Sequence, residues 1–302
     1  MKTAIRAAVV FLLPLLCSPL SEITEPPSAA ASDTATATVT SSATPTVLTA
    51  TPTPVEPRHF ATGFDGELVL EETDRMDRSA NPDWWVNSGA WFLQRGGVGS
   101  TWIGESPADS KWRELYNLSN PLDTDHGAHP QNLFRLVTRS EWRDSTQQVY
   151  FRIVADNLSA SANRDRSNGV LLFHRYRDAQ NLYYAGVRVD GSAVIKKKTG
   201  GVYTTLAEAP LYPGSYNRSG APNLIPHGTW IGLRTVLYTE GDKVTILLYT
   251  DPDRSGFWVL ALQAEDTVDP DPPLAGAGFA GIRTDFMDVE FDDYRIEELN
   301  SE

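Results

Sequence analysis

Arg139, His174, Tyr176 and Tyr184 are of the types that β-elimination from a uronic acid requires. A cation neutralises the sugar carboxylate and acidifies the neighbouring C–H, and a histidine or tyrosine then moves the proton. Around them lie Arg143, Tyr150, Arg152, Arg175, Arg188 and Lys197, types that pair with carboxylates or stack on sugar rings. The region is a basic island, with 12 Lys and Arg against 6 Asp and Glu between Arg135 and Lys198. From Glu240 to the end the balance reverses, to 16 acidic against 4 basic residues, and the whole chain has a formal net charge of -13. An island of this sign in an acidic protein suits a polyanionic glycan.

Metal chemistry has weaker material. Asp251, Asp253 and Ser255 stand in Asp251-Pro252-Asp253-Arg254-Ser255-Gly256, which copies the first half of a calcium loop but lacks the distal Glu. It is a candidate for structural calcium, with a hairpin turn as the alternative. Asp123, Asp125, His126 and His129 form a polar segment without a third histidine. Asp288, Glu290 and Asp292 alternate near the C-terminus, where a solvated face or a calcium site is the reading. Glycoside hydrolysis needs two carboxyl groups flanking the scissile bond, and no internal run places such a pair, so it is disfavoured.

The elements that must position these groups are strands. Apolar and polar residues alternate in short runs broken by Gly, Asn, Asp and Pro, without a helical period, which predicts an all-β antiparallel β-sandwich of jelly-roll type. The clearest runs are Gln148–Ala155, Gly169–Tyr176, Asn181–Val189, Ser192–Lys198, Trp230–Tyr238, Lys243–Tyr249, Trp258–Gln263 and Phe286–Ile296. Helix is expected only near Asp109–Asn117. A period of two puts Val149, Phe151 and Ile153 in the core with Tyr150 and Arg152 opposite. The same rule puts His174 with Tyr176, and Tyr184 with Arg188 opposite Tyr183, Ala185 and Val187. The tryptophans Trp84, Trp85, Trp91, Trp102 and Trp112 are expected mostly in the core.

The segment from Asn168 to Pro210, NGVLLFHRYRDAQNLYYAGVRVDGSAVIKKKTGGVYTTLAEAP, resembles the concanavalin A-like lectin/glucanase superfamily, especially its laminin-G-like and keto-disaccharide-hydrolase-like bacterial members. The segment Gly278–Leu299 is similar to the closing strands of those domains. The resemblance implies a jelly roll that hosts lectins, binding modules, hydrolases and lyases alike, and selects no chemistry. Arg139-Ser140-Glu141-Trp142-Arg143, Phe173-His174 and Tyr183-Tyr184-Ala185-Gly186 are similar, in order, to three motifs of alginate lyases of this architecture. Gln and Ile before the histidine and Lys after the tyrosine pair are missing.

Lys2, Arg6 and the apolar run Ala7–Leu16 predict a secretory signal over residues 1–21. The run is too short for a membrane span, and no later stretch supplies a transmembrane segment. Cys17, the only cysteine, offers a lipid anchor, although Leu16 precedes it where a small residue is usual. Residues 22–57 are Thr, Ser, Ala and Pro with few large apolar side chains, and are predicted to be a disordered linker. The β-domain is then 58–302, without a thiol for a disulfide or a nucleophile. The expected protein is secreted or cell-surface anchored and lectin-like, with an anionic polysaccharide as partner and no nucleic acid. The alternatives are a polysaccharide lyase on the same scaffold and an adhesive surface protein.

Overall fold

The computed structural model describes residues 57–267 and 271–299. The expected signal, Cys17 and nearly all of the linker lie outside the described residues. In chain order the elements are β1 (His59–Thr62), β2 (Leu68–Glu71), β3 (Trp84–Ser88), β4 (Trp91–Arg95), β5 (Val98–Thr101), α1 (Lys111–Ser119), β6 (Leu133–Trp142), β7 (Ser145–Asp156) and β8 (Gly169–Asp178). They continue with β9 (Asn181–Arg188), β10 (Ser192–Thr199), β11 (Val202–Pro210), β12 (Ile231–Glu240), β13 (Lys243–Asp251), β14 (Val259–Asp266), β15 (Gly278–Asp285) and β16 (Met287–Glu298).

The strands form two antiparallel sheets stacked as a β-sandwich. The nine-stranded sheet runs β14-β13-β12-β7-β16-β5-β4-β2, with β1 paired to β16. The seven-stranded sheet runs β11-β10-β9-β8-β15-β6-β3. Val149, Phe151 and Ile153 from one sheet meet Val170, Leu172, Ala185, Val187 and Ile195 from the other, all buried, so alternation sorts the faces as the sequence indicates. Each of the eight runs read from the sequence falls on a strand, four of them overrunning it by one residue, at Val189, Trp230, Trp258 and Phe286.

β8 is buried along Gly169–Tyr176 because both of its faces are covered. Val170 and Leu172 point into the main core, while Leu171 and Phe173 join a second cluster with Val137, Tyr184 and Val194 on the outer face. A strand covered on two sides reads as a continuous apolar run, here Val170-Leu171-Leu172-Phe173. Register shifts between His174 and Asp178, and Arg175 adopts φ of 48°. This bulge moves Tyr176 onto the face of Phe173 and leaves His174 facing inward. The expectation that His174 and Tyr176 share a face fails for this reason.

α1 falls where helix was expected. Ser110 caps it by accepting from the Trp112 amide at 3.1 Å, and Pro121 follows its end. Trp112 and Tyr116, one turn apart, pack with Ala90 and Trp91. Gly191 makes the β9–β10 turn with φ of 83°, where a Cβ would meet the Tyr212 carbonyl at 2.4 Å.

Candidate functional site

The outer face of the seven-stranded sheet carries the site. Ala185 and Ile195 point into the core, so alternation sends Tyr184, Lys196 and Lys198 outward. On the far side of β8, Arg283 on β15 lies directly opposite Arg135 on β6. Like charges at directly opposed positions repel, and here one of them is compensated. Arg283 donates from Nε to Asp285 at 2.9 Å and from Nη1 to the Tyr184 hydroxyl at 3.1 Å. Arg135 donates from Nε to the Ser88 hydroxyl at 3.1 Å and has no carboxylate within ion-pair distance among the described residues.

Arg135 and Arg283 line a cleft of about 540 Å³. One wall comes from α1, the residue after β2 and the turn between β3 and β4. There the Tyr116 hydroxyl donates to Glu72 at 2.6 Å and accepts from the Gly89 amide at 2.7 Å, while the Ala90 amide also donates to Glu72. Burial raises the Glu72 carboxyl above the ordinary value, outweighing these donors and the nearby Arg135 charge. The same burial, with Glu72 beside it, pushes the Tyr116 phenol up.

The other wall is aromatic and basic. Tyr203 stacks on Tyr184 with centroids 6.1 Å apart, and Lys198 and Lys196 lie 4.6 and 5.8 Å from the Tyr203 ring. Lys198 donates to the Ala179 carbonyl at 2.8 Å, and neither lysine has a carboxylate within ion-pair distance among the described residues. Burial opposes ionisation of the Tyr203 phenol, but Arg283 and Lys198 together hold it below the ordinary tyrosine value. Burial pushes Tyr184 up to about 12 in spite of Arg283. A hollow of about 170 Å³, lined in part by Lys196 and Arg188, adjoins the cleft through Tyr184, Tyr203 and Arg283.

Among the residues singled out from sequence, Tyr184 lines the cleft and Arg188 the adjoining hollow, where its guanidinium is spent on Asp190 and Glu208. Tyr176 is buried on the same outer face, beside Phe173. Arg139 donates to the Asn81 carbonyl at 2.7 Å at the edge of that sheet. His174 is instead enclosed between the sheets, with Nε2 2.5 Å from the Thr235 hydroxyl and Ser145 and Gln147 nearby. Burial, with Arg175 adjacent, drives its pKa down to about 3. Arg175 is also enclosed, bound to Asp144, Thr239 and the carbonyls of Arg143 and Leu274. Arg143 is exposed at that end of the sandwich.

Lys197 is buried against Asp266 at 3.0 Å and the carbonyls of Asp271 and Pro272. Tyr150 and Arg152 occupy the outer face of the opposite sheet, where Tyr150 donates to Asp251 and Arg152 pairs with Glu290. The cleft therefore gathers Tyr184 with groups not singled out from sequence, Glu72, Arg135, Lys198, Tyr203 and Arg283, and Lys196 lines the adjoining hollow. Alternation carried a signal for two of them, because Ile195 points inward and so places Lys197 inside and its two lysine neighbours outside.

Asp251 is buried and accepts from the Tyr150 hydroxyl, the Ser255 amide and hydroxyl, and the Gly256 amide. Its carboxylate closes the turn, and Asp253 is exposed outside this set. Among the described residues no group of three or more His, Cys, Asp or Glu is gathered as a metal site. No described helix is long and apolar enough to cross a membrane.

No family model matches the chain, and no curated protein sequence matches it. Among solved structures it is similar to a carbohydrate-binding module, CBM66, from Bacillus subtilis, at 15% identity and a TM-score of 0.43, over 70% of this chain and 94% of that one. It is also similar to the winged bean acidic lectin complexed with methyl-α-D-galactose, at 10% identity and a TM-score of 0.47, over 82% of this chain and all of that one. A third is a β-glucanase of Bacillus licheniformis, at 8% identity and a TM-score of 0.40, over 80% of this chain and 98% of that one.

Proposed function

We propose that this is a secreted carbohydrate-binding protein whose cleft takes an anionic saccharide. The observation that carries the reading is the opposed pair Arg135 and Arg283, of which only Arg283 has a carboxylate within ion-pair distance among the described residues. A guanidinium in a cleft with no carboxylate within ion-pair distance is stabilised when a bound carboxylate or sulfate pairs with it. Lys196 and Lys198 add positive charge beside Tyr184 and Tyr203, whose rings offer stacking surface to a sugar. Glu72, whose carboxyl burial raises above its ordinary value, lies in the same cleft.

The test is titration of the protein with alginate, polyglucuronate and a neutral β-glucan at low and high salt, beside Arg135→Ala and Lys198→Ala. Binding of the acidic polymers, weakened by salt and by both substitutions, is the expected result. Preference for the neutral glucan at the cleft, or affinity unmoved by either substitution, rejects the reading.

Tyr203 supports a second reading, a polysaccharide lyase. A phenol held below its ordinary value beside two cations is suited to take a proton from the carbon next to a uronate carboxylate. The electron pair released would form the C4–C5 double bond as the C4–O bond breaks, with the Tyr184 phenol protonating the leaving oxygen. An unsaturated uronate product would appear in the ultraviolet, and Tyr203→Phe would abolish it while binding persists. Absence of that product on alginate and polyglucuronate leaves the binding reading alone.

A further inference from the structure

The opposite sheet carries a second hollow, of about 510 Å³, on its outer face. Leu93, Ser100 and Glu290 lie side by side there as cross-strand partners on β4, β5 and β16. Trp102, Ile103, Val69 and Val98 continue the lining, and Arg95, largely exposed and paired with Glu67 at 3.7 Å, completes it. Trp102 packs on Trp91 with centroids 4.8 Å apart, and its indole nitrogen already donates to the Glu105 carbonyl. What it offers the hollow is therefore ring carbon.

The polar floor is only partly used. Arg152, opposite Glu290 on β7, is bound to Glu290 Oε2 from Nε at 2.7 Å and from Nη2 at 2.5 Å, and its guanidinium lies over Trp230 at 4.7 Å. Glu290 Oε1 and the Ser100 hydroxyl make no hydrogen bond among the described residues. A free carboxylate oxygen next to a free hydroxyl, with indole and aliphatic surface around them, matches the alternation of hydroxyl and C–H faces on a pyranose. The charge argues against an anion, since the exposed acceptor is itself a carboxylate, Arg152 is fixed on its far oxygen and Arg95 is paired with Glu67.

We propose that this hollow is a second saccharide site, taking an uncharged pyranose unit. It shares no residue with the cleft and does not rest on the reading of the cleft. Two sites on opposite faces would let one molecule hold two chains of different charge.

The experiment titrates the full-length protein with four neutral tetrasaccharides, of β-1,4-glucose, β-1,3-glucose, β-1,4-xylose and β-1,4-mannose, by calorimetry. The variants are Trp102→Leu, Ser100→Val and Arg135→Ala. At least one sugar should bind, with affinity about tenfold lower in Trp102→Leu, reduced in Ser100→Val, and unchanged in Arg135→Ala or with polyglucuronate saturating the cleft. Should Trp102→Leu fail to fold, Ser100→Val alone carries the comparison. No binding of any of the four, or binding lost in Arg135→Ala and kept in both other variants, overturns the proposal. Failure of the cleft to bind polyuronates would leave it standing.

Discussion

Arg135 and Arg283 face each other across β6 and β15, and Asp285 is ion-paired with Arg283 alone. Opposed like charges cost about 0.2–1 kcal/mol in a sheet. Arg135→Ala should therefore leave the fold as stable as the parent, or more stable by about that amount. The same substitution should weaken polyuronate binding about tenfold or more, as one charge-assisted contact is lost. Thermal melting and calorimetric titration of the one variant read both quantities. Lower stability with unchanged binding would make Arg135 a structural residue.

Glu72 gives the cleft a pH dependence. Its folded-state pKa is raised by burial, so on lowering pH it takes up a proton before an ordinary carboxyl does. Protonation removes the negative charge facing Arg135, and affinity for a sulfated polysaccharide, which stays ionised, should rise as pH falls through that value. Tyr116, whose phenol burial pushes up, donates to it, and Arg135 is the nearby cation. Glu72→Gln should flatten the profile at its low-pH level in titrations from pH about 4 to 8.

Alternation made much of this legible. The strands β7 to β10 and their inward residues follow from period two, and so does the outward placement of Tyr184. The failures are local. At Arg175 one extra residue in β8 inverts the phase, and nothing in His174-Arg175-Tyr176 signals a bulge. The island of positive charge is real in sequence but divided in space: Arg152 lies on one sheet, Lys196 on the other, and Arg175 and Lys197 between them. Glu72 and Arg283 come from far outside the island, 63 and 148 residues from Arg135, and only the sheet order brings them to it. Contacts of that range have no local periodicity to announce them.

His174 should make the fold sensitive to acid. Burial depresses its folded-state pKa to about 3, so below the ordinary histidine value the unfolded chain gains a proton that the folded chain refuses. Its contribution to stability is complete above that value and is lost as pH falls, at no more than about 1.4 kcal/mol per pH unit. His227 works in the opposite sense, because its bond to Asp156, 3.1 Å away, raises its pKa. That contribution is present below the ordinary histidine value and is lost as pH rises through the raised one. Denaturant unfolding at several pH values should show His174→Gln losing stability less steeply from neutrality toward pH about 4, and His227→Ala more steeply.

Lys197 and Asp266 tie β10 of one sheet to β14 of the other. Both are buried, and Asp266 also accepts from Tyr183, whose hydroxyl in turn accepts from the Leu274 amide. Removing one partner of such a pair leaves a buried charge uncompensated, so Lys197→Ala should cost about 3–5 kcal/mol. Replacing the pair is different in kind. Lys197→Met combined with Asp266→Asn removes both charges, fills the lysine's space, and keeps an acceptor for Tyr183. The double variant should recover much of the loss, and polyuronate affinity should remain at the parental level in both proteins wherever they are folded. Urea denaturation followed by binding of the same samples measures this. A double variant no more stable than Lys197→Ala would show that the charge itself holds the sheets, and a fall in affinity would place Lys197 in the binding machinery after all.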